Sequence, residues 1–131
     1  EITALTALIP QLIIVGAGHI GQALCAVSGL VDFEIIVVDE RHELANKSRF
    51  PDASKIICKS LSEAFHEIMI TADSYIVLAT QGHRTDIEAL KCCIASNAAY
   101  IGAIGSKRKT KLMREEFITK KMDFFCYDAA R

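Results

Sequence analysis

Short apolar runs recur along this chain, separated by segments whose apolar positions fall at helical spacing. Leu12-Ile13-Ile14-Val15 ends in a glycine and suits a strand buried on both faces, as in a parallel sheet. Ile20, Leu24 and Val27 follow at helical spacing, with Gly29 closing the helix. Glu34 to Asp39 reads as a second buried strand, rich in β-branched residues. Arg41 to Ser54 is polar, is interrupted by Pro51, and reads as a long loop with at most one helical turn. Lys55 to Cys58 is a short third strand. Ser60-Leu61-Ser62-Glu63 has the capping-box pattern, and Leu61, Ala64, Phe65 and Ile68 form the apolar face of the helix it starts. Ser74 to Thr80 is a fourth strand. Thr85-Asp86-Ile87-Glu88 reads as a second capping box, opening a helix that buries Ile87, Leu90 and Ile94. Ala98 to Ile101 is a fifth strand, and Ser106 to about Lys121 a last helix with Met113 and Phe117 inward. Asp123 to Arg131 fits either a sixth strand or a tail.

Strands alternating with helices predict a Rossmann-like α/β fold: a doubly wound parallel sheet of five or six strands in a three-layer αβα arrangement. A chain of 131 residues holds about one such domain. The motif-bearing part covers roughly residues 11–121. The chain opens at Glu1 without an initiator methionine, so the expectation is a fragment of a longer protein. No apolar run reaches the roughly 18 to 20 residues of a membrane span, and Glu1 to Pro10 lacks the basic start of a signal peptide. A formal net charge of −1 gives no global pull toward nucleic acid or an anionic membrane. The five cysteines (Cys25, Cys58, Cys92, Cys93, Cys126) show no CxxC spacing. They read as reduced thiols, small and buried, in a cytoplasmic protein. The four histidines are scattered and imply no metal site.

The chemistry concentrates in the loops that follow strands. Gly16-Ala17-Gly18-His19-Ile20-Gly21 matches G-x-G-x-x-G between a strand and a helix, the context that gives this pattern meaning. Gly16 permits the tight turn, Gly18 lets backbone approach a pyrophosphate, and Gly21 lets helix and strand pack closely. The helix start then offers free N–H groups to phosphates. His19 and Ile20 begin that helix; His19 either donates to a ligand or points to solvent. Asp39, 18 residues after Gly21, stands where a carboxylate accepts from an adenosine ribose. A carboxylate there favours a free 2′-hydroxyl over a 2′-phosphate by charge repulsion, although Arg41 can stack on adenine or tolerate a phosphate.

Two further loops belong to the same sheet edge. Thr80, Gly82 and His83 follow the fourth strand and face the glycine loop across the switch point. Gly105, Ser106, Lys107, Arg108 and Lys109 follow the fifth. Ser106 is a candidate N-cap. Three cations in a first helical turn oppose the helix dipole by about 0.3–1 kcal/mol each, which makes sense if an anion binds there. On that reading, neutralising all three leaves the domain equally stable or slightly more so.

The runs LIIVGAGHIGQAL, VVDER and TQGHRTD, and above all AYIGAIGSKRK, together resemble the C-terminal Rossmann domain of the xanthine dehydrogenase accessory protein family (XdhC/CoxI). RFPDA at Arg49 to Ala53 also looks like the family. The resemblance implies that Gly16, Gly18 and Gly21 form the phosphate loop. Asp39 and Arg41 match the family's D-[DE]-R pair. Thr80, Gly82 and His83 match its fourth-strand loop, and Gly105, Ser106, Arg108 and Lys109 its last motif. It implies binding of molybdenum cofactor (molybdopterin or its dinucleotide), help in its sulfuration, and delivery to a molybdenum hydroxylase apo-enzyme. A cysteine desulfurase and a second copy of the chain are the further partners it leaves open. The family's N-terminal domain lies outside the sequence, and Asp123 to Arg131 does not match the Pro-, Gly- and Asp-rich stretch that follows the last helix there.

Two other functions compete. An NAD(P)-dependent oxidoreductase would need an acid near the nicotinamide, for which His83 is the one candidate catalytic residue, and no YxxxK pair follows the fourth strand. A regulatory nucleotide sensor would share the glycine loop and the acidic residue after strand two, but not GSKRK. The sequence therefore favours a cofactor-binding accessory protein over a stand-alone enzyme.

Overall fold

The computed structural model describes residues 9–119 and 127–128, with side chains through residue 116. The elements in chain order are β1 (Gln11–Val15), α1 (His19–Ser28), β2 (Glu34–Val38), β3 (Lys55–Ile57), α2 (Leu61–Glu67), β4 (Ser74–Leu78), α3 (His83–Cys93), β5 (Tyr100–Ala103), α4 (Lys107–Thr119) and β6 (Tyr127–Asp128). The strands form one parallel sheet in the order β3-β2-β1-β4-β5-β6. The sixth strand, left open by the sequence, is a two-residue pairing of Tyr127 and Asp128 with Gly102 and Ala103. The rest of Asp123 to Arg131, with Cys126, lies outside the described residues, as do Glu1 to Leu8 and the side chain of Phe117.

Period-two alternation along the central strands sends apolar side chains to both faces. Ile13, Val15, Ile36, Val38, Ile76 and Leu78 meet Ala64 of α2, Ile87 and Leu90 of α3, and Met113 of α4. Leu12, Ile14, Ile35 and Val37 meet Cys25 of α1 and the long loop, which contributes Ala45, Phe50 and Ala53. Each fully buried Ile, Leu or Phe contributes about 1.5–3 kcal/mol relative to exposure, so neither layer is optional. The loop over residues 41–54 thus covers the place where many doubly wound folds put a second helix, and Phe50 is its anchor at 0% exposure.

Three local expectations change. The α1 residues Ile20 and Val27 are 52% and 64% exposed, while Gly21, Cys25 and Ser28 face the sheet. The reason is distance: a Cβ on Gly21 would stand 2.1 Å from the Gly16 carbonyl oxygen, so only the small-residue face can pack there. α3 begins at His83 behind Gly82, with no side-chain cap, so Thr85 lies inside the first turn and the second capping box does not form. Cys58 and Cys92 are exposed thiols, whereas Cys25 and Cys93 are buried, and burial pushes Cys93 up to about 12. The first capping box does form at its serine: Ser60 Oγ accepts from Glu63 N–H at 3.4 Å.

Candidate functional site

Parallel pairing of β1 with β4, Val15 beside Leu78, brings the glycine loop and the Thr80–Gly82 loop to one edge. Ala79 N–H donates to Val15 O at 2.8 Å, and Ile104 N–H to Leu78 O at 2.8 Å, so the β5 loop joins them. The three loop glycines divide their labour. Gly16 has φ +116°, and a Cβ there would meet Ala79 O at 2.5 Å. Gly21 is required by helix-to-strand contact. Gly18 has φ −75°, and a Cβ on it would have no atom within 4 Å, so nothing inside the protein asks for glycine there. Gly18 is also the N-cap of α1, without a side-chain cap and without an acidic residue in the first turn. Its open flank is the approach that a phosphate needs.

Asp39, 8% exposed, is tied internally. Oδ2 accepts from Ala17 N–H at 2.8 Å and from Arg41 Nη2 at 2.7 Å; Oδ1 accepts from Arg41 N–H and Nε, both at 2.9 Å. These four bonds match the four or so acceptor sites of a carboxylate. The structure therefore gives Asp39 internal donors where the sequence expectation put ribose hydroxyls, and its charge is already neutralised by Arg41. Burial raises the Asp39 pKa, but the hydrogen bonds from Arg41, from Ala17 N–H and from Arg41 N–H outweigh it and hold the carboxyl below its ordinary range. The next peptide group is held too: Arg49 Nη1 donates to Ala17 O at 2.5 Å.

Lys109 is the clearest correction. Its ammonium does not stand free at the helix start. It lies 2.5 Å from Asp86 Oδ2 and donates to Thr80 O at 2.6 Å and Ile104 O at 3.1 Å. Asp86 is 0% exposed, and its other oxygen accepts from the Thr80 hydroxyl and from Thr80 N–H. Asp86 Oδ2 makes no hydrogen bond of regular geometry, so the Lys109 charge is what compensates it. Lys109 thus bolts α4 to α3 and to the loops after β4 and β5. Ser106 caps α4 as expected, its Oγ accepting from Lys109 N–H at 3.2 Å, while Lys107 and Arg108 are exposed.

Two clefts open at this edge, separated by Thr80, Gln81 and Gly82, which line both. The smaller, about 320 Å³, is bounded by Gly16, Asp39, Arg41, Lys59 and Ser60. The larger, about 530 Å³, is where the starts of three helices converge: Gly18, His19 and Ile20 of α1, His83 of α3, and Ser106, Arg108 and Lys109 of α4. Gly105 lines it as well. Gly21 is a packing residue, and Lys107 lines neither cleft. Sequence reasoning passes over Gln81, although it sits inside the recognised TQGHRTD run. It also gives no role to Arg49, although that residue opens the RFPDA run. Among the described residues there is no group of three or more His, Cys, Asp and Glu able to hold a metal, and no helix long and apolar enough to cross a membrane.

Comparison with known proteins places this geometry. The family described as the XdhC Rossmann domain matches residues 12–124. The chain is 30% identical over 112 residues to the uncharacterized protein YqeB of Escherichia coli, covering 85% of this chain and 20% of that protein. It is 29% identical over 102 residues to a probable xanthine dehydrogenase subunit of Bacillus subtilis, covering 78% of this chain and 31% of that one. The crystal structure of a xanthine dehydrogenase from Bacillus halodurans superposes with a TM-score of 0.80 at 28% identity, over 92% of this chain and 36% of that chain. The chain therefore spans between a fifth and little more than a third of these relatives. With the motif loops, the strand order and the family match over residues 12–124 in agreement, this chain belongs to the XdhC Rossmann domain family.

Proposed function

We propose that this domain holds the phosphate-bearing part of a cofactor and serves, within an accessory protein, the maturation of a molybdenum hydroxylase of the xanthine dehydrogenase type. The observation that carries the reading is Gly18: an unhindered glycine at an uncapped helix start, opening on the larger cleft. Family membership and the names of two relatives point to the client enzyme. The ligand on this reading is molybdopterin or its dinucleotide, with NAD(P) as the alternative. The site fits an anionic group, because the backbone N–H groups at the start of α1 are joined by Arg108 and by no first-turn acid on α1 or α4. Gly18, His19 and Ile20 would receive the phosphate, Gly82 and His83 would flank it, and Gly105, Ser106 and Arg108 would close the far wall. The cofactor would supply the redox chemistry; the residues of this chain would bind and orient it, ahead of delivery to the apo-hydroxylase, with a cysteine desulfurase as the partner that would serve its sulfuration.

The test is a thermal-shift and calorimetric screen with molybdopterin, its dinucleotides, NAD, NADP and AMP. A true ligand at a hundredfold excess over its Kd raises stability by about 2.7 kcal/mol. Gly18→Val is expected to fold, within about 1 kcal/mol of the parent given its N-cap position, and to lose that ligand. Failure of every phosphorylated ligand, or equal affinity in the valine variant, overturns the reading.

A further inference from the structure

We propose that Arg49 is a positioning residue of the glycine loop, acting with Asp39 as a clamp on the two successive peptide groups that flank the Ala17 Cα, and so keeping Gly18 and the start of α1 at the larger cleft. This rests on the reading of that loop as the phosphate site. Ala17 has 0% exposure, so both its backbone polar groups need internal partners. Its N–H goes to Asp39 at the end of β2, and its C=O to Arg49 in the long loop, 32 residues on.

The guanidinium is itself held from three directions. Nη1 also donates to Leu44 O at 3.1 Å, Nη2 donates to Gln22 Oε1 at 3.0 Å on α1, and the group lies 5.6 Å from the Phe50 ring centroid. Phe50 is fixed in the core. One side chain therefore joins the loop carbonyl, the first turn of α1 and the anchored covering loop. Rotation of the Ala17–Gly18 peptide, which carries the Gly18 N–H, would break the Arg49 bond to Ala17 O, and rotation of the Gly16–Ala17 peptide would break the bond to Asp39, so the clamp resists a turn of either plane. Preorganisation of this kind raises affinity by removing the ordering cost from the binding step.

Arg49→Lys keeps the charge, but a single ammonium cannot span Ala17 O, Leu44 O and Gln22 Oε1 together. Gln22→Leu removes the bond that orients the guanidinium and leaves Arg49 in place. Lys47→Met is the control: it cuts the Lys47 Nζ to Ala53 O bond of 2.7 Å in the same loop without touching the glycine loop. Amide exchange of residues 16–22, followed by mass spectrometry on the full chain, and calorimetry with pyrophosphate and NAD are the two readouts. In Arg49→Lys, exchange of that segment accelerates and affinity falls, each about tenfold; Gln22→Leu gives a smaller change of the same sign; Lys47→Met changes neither. Should Arg49→Lys fail to fold, Gln22→Leu decides. Parental exchange rates in the Arg49 and Gln22 variants, or equal acceleration in Lys47→Met, overturn the clamp. If the parent binds neither probe but exchange responds as stated, the clamp stands and the choice of ligand is what fails.

Discussion

At Asp39 and Lys109, side chains that read as ligand contacts turn out to answer to the protein first. A carboxylate with a depressed folded pKa contributes stability that is fully present above its unfolded pKa, about 3.9, and is lost as pH falls through the lower folded value. Asp39 is such a group, its downward shift coming from Arg41 and the Ala17 N–H against the pull of burial. Asp39→Asn is therefore expected to cost about 2 kcal/mol at pH 7, since a buried charged hydrogen-bond set is broken, and to flatten the loss of stability below pH 4. Urea titrations at pH 7 and pH 3 check both; an undiminished acid sensitivity in the variant would discard the assignment. Lys109→Met leaves the buried Asp86 carboxylate without its counter-charge and should lose about 3–5 kcal/mol, whereas the pair Asp86→Leu with Lys109→Met should recover more than half. A Lys109→Met domain as stable as the parent would show that the ion pair is dispensable. Gly21 makes the matching contrast with Gly18: with a Cβ 2.1 Å from Gly16 O, Gly21→Ala should destabilise by on the order of 3 kcal/mol in the same denaturant assay.

The basic start of α4 splits into parts with different jobs once the helix is seen in place. Lys109 points into the protein, one residue beyond the exposed Lys107 and Arg108. The stability-neutral outcome expected for neutralising all three is therefore kept only for Lys107 and Arg108. Lys107→Gln with Arg108→Gln should keep stability within about 0.5 kcal/mol or raise it, because cations at a helix start are opposed by the dipole. If Arg108 draws an anion into the larger cleft, the same double variant should weaken ligand binding more at about 20 mM than at about 500 mM salt, where such attraction is screened. Calorimetry at both salt concentrations measures this, and a salt-independent difference would remove the electrostatic role. α1 shows the same lesson from the apolar side. Its spacing of Ile20, Leu24 and Val27 is helical, but periodicity identifies a stripe without saying which stripe the sheet accepts. Close approach at Gly21 decided for the small residues, leaving Ile20 and Val27 exposed on α1 and Leu30 exposed just beyond it.

Across the whole molecule, the sequence determined the α/β class, the strand positions and the edge that carries the chemistry. Runs such as Leu12–Val15 and Ile35–Val38 suit central parallel strands, and glycines at 16, 18 and 21 between a strand and a helix suit a tight turn into that helix. That information is local: it lies in periodicity, β-branching and backbone freedom over a few residues. Strand ends shifted by a residue or two, as in β5, because pairing with β4 sets where a strand begins and stops. What only the tertiary structure decided is long-range. Thr85 became an interior helical residue because α3 starts at His83, and Asp86 was drawn inward to meet Lys109, 23 positions away. Arg49 acquired its place because Phe50 anchors the covering loop beside α1, bringing the guanidinium to a carbonyl 32 residues earlier. No spacing rule connects such pairs, since each depends on where separate elements land after the sheet has formed. The sequence pointed to the loops at this edge; the packed chain determined which of their side chains line the clefts and which, such as Lys109, are spent on internal bonds.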